Sequence, residues 1–125
     1  MKPEAQRIAI AEACGWKIKF EVGFNKPHVV KPDGEEIFYP NSYNESYSNV
    51  WQALYFKQIP DYITDLNAIH EAEKVLTEDQ QDAYLDALYE VCNPDSMYRD
   101  DWRMCNATAA QRAEAFLRTV GKWKE

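Results

Sequence analysis

The stretch Thr108–Gly121, with the sequence TAAQRAEAFLRTVG, carries the clearest structural signal in the chain. Thr108 followed by Gln111 is a capping box, in which each side chain accepts from the other residue's backbone N–H, so a helix is predicted to begin here. Gly121 is predicted to end it, because glycine readily adopts the left-handed conformation found after helix C-termini. Four residues within the stretch have helical spacing and are predicted to face the core: Ala110, Ala113, Leu117 and Val120.

Working outward from this helix, the sequence predicts three more, over residues 3–14, 65–76 and 77–92. Thr77 and Gln80 form a second capping box. Thr64 or Asp65 can cap the middle helix. Pro3 suits the first turn of the opening helix, since its missing N–H would have no partner there anyway. A short helix over 48–56 is also predicted.

Strands are predicted on both sides of a turn at Lys31–Gly34. Residues 16–22 alternate apolar and polar, which is typical of a half-buried strand. Residues 29–30 and 37–39 are predicted as short strands, and 102–105 as a last strand. The core is predicted to join the helices to the first strand through nine residues: Leu66, Ile69, Leu76, Leu88, Leu117, Val120, Trp16, Ile18 and Phe20. The fold class is therefore α+β, in a single domain over 1–125.

The composition favours a globular, acidic protein. The 125 residues have a formal net charge of −7 and are 46% hydrophobic, which is ordinary for a folded domain. Negative charge disfavours direct, sequence-independent binding of nucleic acid. An acidic mimic of DNA is a less favoured alternative. No stretch is apolar enough to serve as a signal peptide or to cross a membrane, so a cytoplasmic protein with no membrane partner is expected.

The chemistry-bearing residues do not form a recognisable catalytic pattern. Cys14, Cys92 and Cys105 are an odd set without CxxC spacing, which predicts free thiols. His70 and Glu73 share a helix face as a metal pair would, but a polar helix face is the simpler interpretation. We therefore expect no catalytic residues, no metal and no cofactor.

Three segments resemble a known family: residues 7–16 (RIAIAEACGW), 59–76 (IPDYITDLNAIHEAEKVL) and 107–123 (ATAAQRAEAFLRTVGKW). They are similar to the phage ABA-sandwich domain proteins, a family of small bacteriophage and prophage proteins. The resemblance implies a small antiparallel sheet sandwiched between helices, phage origin and expression in the bacterial cytoplasm. It implies no activity.

The stretch between residues 38 and 62 carries eight aromatic residues among Asn and Ser, a composition resembling that of antibody paratopes. These aromatic side chains can be part of the hydrophobic core or form a protein–protein interface. The interface interpretation predicts a surface that binds a host or defence-system protein through four residues: Tyr43, Tyr47, Trp51 and Tyr55.

The C-terminal segment suggests an alternative, in which the protein sequesters an anionic signalling nucleotide as a counter-defence sponge. Arg112 lies near the predicted start of the last helix, where backbone N–H groups favour anions. The predicted ligand-binding residues are Arg112, Lys122, Trp123 and Trp16. The alternative interpretation of this basic segment is that it complements the helix dipole. A homo-oligomer is left open.

Overall fold

The computed structural model describes residues 1–19, 28–38, 58–95 and 101–125. These residues form an α+β fold, which confirms the predicted class. The helices are α1 (Pro3–Ala13), α2 (Leu66–Glu73), α3 (Glu78–Cys92), α4 (Asp101–Cys105) and α5 (Ala109–Thr119). The strands are β1 (Lys17–Lys19), β2 (His28–Val30) and β3 (Glu36–Phe38).

The helix ends follow the predicted signals. Thr77 and Thr108 each complete a capping box, with their hydroxyl groups accepting from the backbone N–H three residues later. Asp65 caps α2 by accepting from the backbone N–H of Asn67. Pro3 occupies the first turn of α1, and Gly121 follows α5 with a φ of 75°. The caps therefore satisfy backbone groups that these helix ends would otherwise leave unpaired.

The three strands form an antiparallel sheet in the order β1-β2-β3. Val29 of β2 is fully buried and pairs with Ile18 on one side and Ile37 on the other. The turn predicted at Lys31–Gly34 joins β2 to β3, and Gly34 has the positive φ, 92°, that such a turn favours in glycine. The predicted strand over 16–22 is observed as β1, and its part from residue 20 onward lies outside the described residues.

Helix α5 is the centre of the packing, because it contacts α1, α2 and α3. Ala113, Phe116 and Leu117 on its inner face are fully buried. The buried side chains from Ile10 to Leu117 form one cluster, to which the sheet contributes Val29. Burial of this apolar surface is the main force that holds the helices together.

The prediction of a strand over 102–105 is wrong, since these residues lie in the short helix α4. Trp102 and Met104 alternate with polar residues, as they would in a strand. In the structure only Met104 is buried, whereas Trp102 is 77% exposed. The backbone N–H of Asn106 donates to the carbonyl of Trp102 at 3.1 Å, so the chain turns locally instead of extending.

The predicted core is correct for Trp16, Ile69, Leu76, Leu88 and Leu117, all of which are buried. The prediction for Leu66 is wrong because this residue, at the first position of α2, is 54% exposed. Ala110 is also exposed, and Val120 is only half-buried. The prediction for this helix is correct for Ala113 and Leu117, and the buried residues of α5 are Ala109, Ala113, Ala115, Phe116 and Leu117. Phe20 and the predicted helix over 48–56 lie outside the described residues.

Candidate functional site

A polar pocket of about 340 Å³ opens between α2 and α5. It is lined by Leu66, Asn67, His70, Glu73 and Arg112, and we call it the α2–α5 pocket. The α2 residues lie on one face because residues three and four apart are neighbours on a helix. Arg112 enters from the first part of α5, whose start is set by the Thr108 cap. The pocket therefore exists only where these two helices meet.

An ion pair forms the inner wall of the α2–α5 pocket. Nη1 of Arg112 lies 3.4 Å from Oε1 of Glu73, and the two side chains are 22% and 16% exposed, respectively. Nε of Arg112 donates to the carbonyl oxygen of Ala107, also at 3.4 Å. Both contacts are long for charge-assisted hydrogen bonds, and a guanidinium has five N–H donors in total. The arginine is therefore held in place, with capacity to bind a further acceptor.

Tyr84 of α3 lies behind this ion pair. The residue is 6% exposed, and its buried hydroxyl has no hydrogen-bond partner among the described residues. Burial raises the pKa of the hydroxyl, the Glu73 charge raises it further, and Arg112 lowers it. Both charged groups thus act on the hydroxyl at close range. A buried hydroxyl without a hydrogen-bond partner costs about 1–3 kcal/mol of stability.

The four residues predicted to bind a nucleotide do not form one site. Trp16 lines a separate, mainly apolar pocket with Cys14 and Tyr62, whereas Lys122 lines a third pocket beside Met1. Trp123 stacks with Arg118, whose guanidinium carbon lies 5.6 Å from the ring centroid.

Arg112 is separated from both C-terminal residues by the length of α5. Arg112 lies in the first turn of α5, whereas Lys122 follows the last residue of the helix, Thr119, so the two lie at opposite ends of α5. Lys122 is paired there with Glu12 at 3.8 Å. Of the predicted set, only Arg112 therefore belongs to the α2–α5 pocket. The predicted partner-binding residues Tyr43, Tyr47, Trp51 and Tyr55 all lie outside the described residues.

The spacing of His70 and Glu73 places both in the pocket, and Glu73 is paired there with Arg112. Tyr84, which lies behind this ion pair, was not predicted as a functional residue. A tyrosine on an otherwise apolar helix face is a usable signal, because its polar end normally needs a partner when buried. Within the described ranges, no group of three or more His, Cys, Asp or Glu residues is arranged to hold a metal ion.

The three cysteines occupy different environments. Cys14 is half-buried, Cys92 is buried and Cys105 is exposed. Burial raises the pKa of Cys14 to about 11, and a hydrogen bond with Tyr62 partly opposes this shift. Burial also raises the pKa of Cys92. Both thiols are therefore protonated near neutral pH and are poor nucleophiles there.

No protein-family model matches the chain, and neither the curated proteins nor the solved structures include a significant match. The resemblance to the phage ABA-sandwich proteins therefore stays a prediction. Within the described parts of the chain, none of the helices has the length and apolar character needed to cross a membrane.

Proposed function

We propose that this protein acts by binding rather than by catalysis, and that the α2–α5 pocket takes a small ligand carrying an oxyanion. The observation that supports this is the half-buried Arg112, held by two long contacts at the wall of an open pocket. Guanidinium groups match carboxylate and phosphate oxygens in geometry as well as in charge. The pocket volume, about 340 Å³, lies within the range of small-molecule sites.

This proposal keeps the ligand-sequestering function that the sequence suggested but changes its site. Arg112 remains the anion-binding residue, whereas Trp16, Lys122 and Trp123 are no longer part of the proposal because they lie elsewhere. Phage origin and a place in the bacterial cytoplasm are proposed with it on the basis of the sequence resemblance. Sequestration of a signalling nucleotide is also proposed, and it rests on the basic residues of the C-terminal segment.

Thermal unfolding with a ligand panel tests the proposal. The panel contains inorganic phosphate, simple carboxylates, free amino acids and nucleotides. A ligand present at about 100 times its dissociation constant adds about 2.7 kcal/mol to stability, which raises the melting temperature measurably. We expect the shift to be lost in Arg112→Gln. Arg118→Gln is the matched control, because Arg118 lies on the same helix but pairs with Glu114. No shift with any panel member would contradict the proposal.

A second candidate function is the docking of a host or defence-system protein through the aromatic stretch. It is supported by the composition of residues 38–62 and by Trp102, a large aromatic side chain that is 77% exposed. Exposed tryptophan and tyrosine are enriched at the energetic centres of protein interfaces. Affinity capture from an infected host lysate tests this function, with the double variant Trp51→Ala, Tyr55→Ala as the negative control. Equal capture by the double variant would rule out this stretch as the docking site.

A further inference from the structure

The charges of the α2–α5 pocket constrain which oxyanions it can accept. Glu73 and Arg112 form a neutral pair, and both side chains are mostly withdrawn from water. A simple anion that binds Arg112 would come close to the Glu73 carboxylate. Repulsion between like charges is stronger in a half-buried site than in water, because the effective dielectric constant is lower. An anion alone would also leave Glu73 without its partner, which is costly for a buried charge.

A ligand that carries both charges avoids this penalty. Its oxyanion can replace Glu73 on the guanidinium, and its cationic group can replace Arg112 on the Glu73 carboxylate. The two protein atoms are only 3.4 Å apart, so the two charges of the ligand must also be close together. A carboxylate and an ammonium group on one carbon atom satisfy this requirement.

The remaining pocket residues favour the same class of ligand. Leu66 lines the pocket and is 54% exposed, so it offers an apolar wall for a side chain of the ligand. The amide of Asn67 can donate to or accept from polar groups at the rim.

We propose that the ligand of the α2–α5 pocket is a zwitterion with adjacent charges, namely a free α-amino acid. Its carboxylate binds Arg112, while its ammonium group binds Glu73. This inference rests on the proposed function, since it names the ligand of the same pocket.

The experiment compares three matched compounds by titration calorimetry. Thermal unfolding with the standard amino acids first selects the one that stabilises the protein most. That amino acid is then compared with its deaminated acid and with its decarboxylated amine. Each single-charge compound is expected to bind more weakly by about tenfold or more, because it leaves one buried protein charge unpaired. Equal binding of the deaminated acid would overturn the zwitterion inference and leave the proposed oxyanion site in place.

Glu73→Gln separates the zwitterion inference from a general anion site. This isosteric change removes the repulsion toward anions and the attraction for ammonium. We expect the amino acid to lose its advantage and the deaminated acid to bind at least as well as it does to the wild-type protein. If Glu73→Gln fails to fold, the three-compound comparison on the wild-type protein still tests whether the ligand must carry both charges. If phosphate or nucleotides raise the melting temperature and no amino acid does, the zwitterion inference is overturned and the oxyanion site is kept. If no compound raises the melting temperature, both the zwitterion inference and the oxyanion site are overturned.

Discussion

Arg112 of α5 and Glu73 of α2 are 39 residues apart in the chain, yet Nη1 of the arginine lies 3.4 Å from Oε1 of the glutamate. This contact fixes the inner wall of the α2–α5 pocket and places two opposite charges beside the buried hydroxyl of Tyr84. The polar site therefore lies at the junction of three helices, and each helix supplies one of these groups.

Tyr84→Phe is expected to leave the ligand-free protein equally stable, or to stabilise it by up to about 1 kcal/mol. The reason is that the change removes a buried hydroxyl that has no partner among the described residues, and with it the desolvation penalty. Urea unfolding without ligand measures this free energy. A loss of stability above about 1 kcal/mol would show that the hydroxyl makes a stabilising hydrogen bond in the free protein.

Leu117→Ala is expected to lower the free energy of unfolding by about 2–5 kcal/mol, because it leaves a cavity in the core. Leu117 is fully buried in the central helix α5. Leu66→Ala is the matched control, and it should change stability by less than about 0.5 kcal/mol because Leu66 is exposed. Denaturant unfolding of both variants provides the measurement. Similar losses in the two variants would contradict the assignment of the inner face.

Stability is expected to fall as the pH rises from 9 to about 11, because of Cys14. Its pKa is raised from 9.0 to about 11 in the folded protein, so only the unfolded chain gains thiolate in this interval. Preferential deprotonation of the unfolded state lowers the free energy of unfolding. Urea unfolding at both ends of the interval measures the decline. Cys14→Ala should reduce it, whereas Cys105→Ala should not, because Cys105 is exposed.

All three cysteines are expected to titrate as free thiols once the protein is unfolded. In the folded protein, Cys105 should react first with a thiol reagent, because it is exposed while Cys92 is buried and Cys14 is half-buried. Mass spectrometry after timed alkylation identifies the order. A disulfide in protein purified without oxidant would disprove the expectation of free thiols.

The double variant Trp51→Ala, Tyr55→Ala is expected to stay within about 1 kcal/mol of wild-type stability while binding a partner protein at least about tenfold more weakly. The basis is the Asn- and Ser-rich composition of the stretch that carries these rings, which resembles that of antibody paratopes. Circular dichroism and a binding titration measure the two effects. Unfolding of the double variant would assign the rings to the core. Unchanged capture would move the interface elsewhere, and Trp102→Ala would then be the next variant to measure.

Local signals predicted most of the secondary structure. Thr77 and Thr108 set the starts of α3 and α5 through hydrogen bonds within four residues. The sequence of those four residues was therefore enough to predict where each helix begins. The turn at Lys31–Gly34 depends in the same way on residues within it. The strand prediction over 102–105 failed because alternation in so short a segment does not distinguish a strand from one turn of helix.

The sequence by itself determined the helix starts at Thr77 and Thr108, the turn, the α+β class and the burial of Ile69, Leu88 and Leu117, since each depends on local hydrogen bonding or on periodic apolar side chains. Only the tertiary structure decided that Arg112 meets Glu73, that the Tyr84 hydroxyl is buried beside them, and that Lys122 and Trp123 lie at the far end of α5. Those relationships depend on how α2 and α3 pack on α5. Packing brings together residues that are far apart in the chain, and no repeat or motif in the sequence links their positions. The pocket could therefore not be predicted from local sequence patterns.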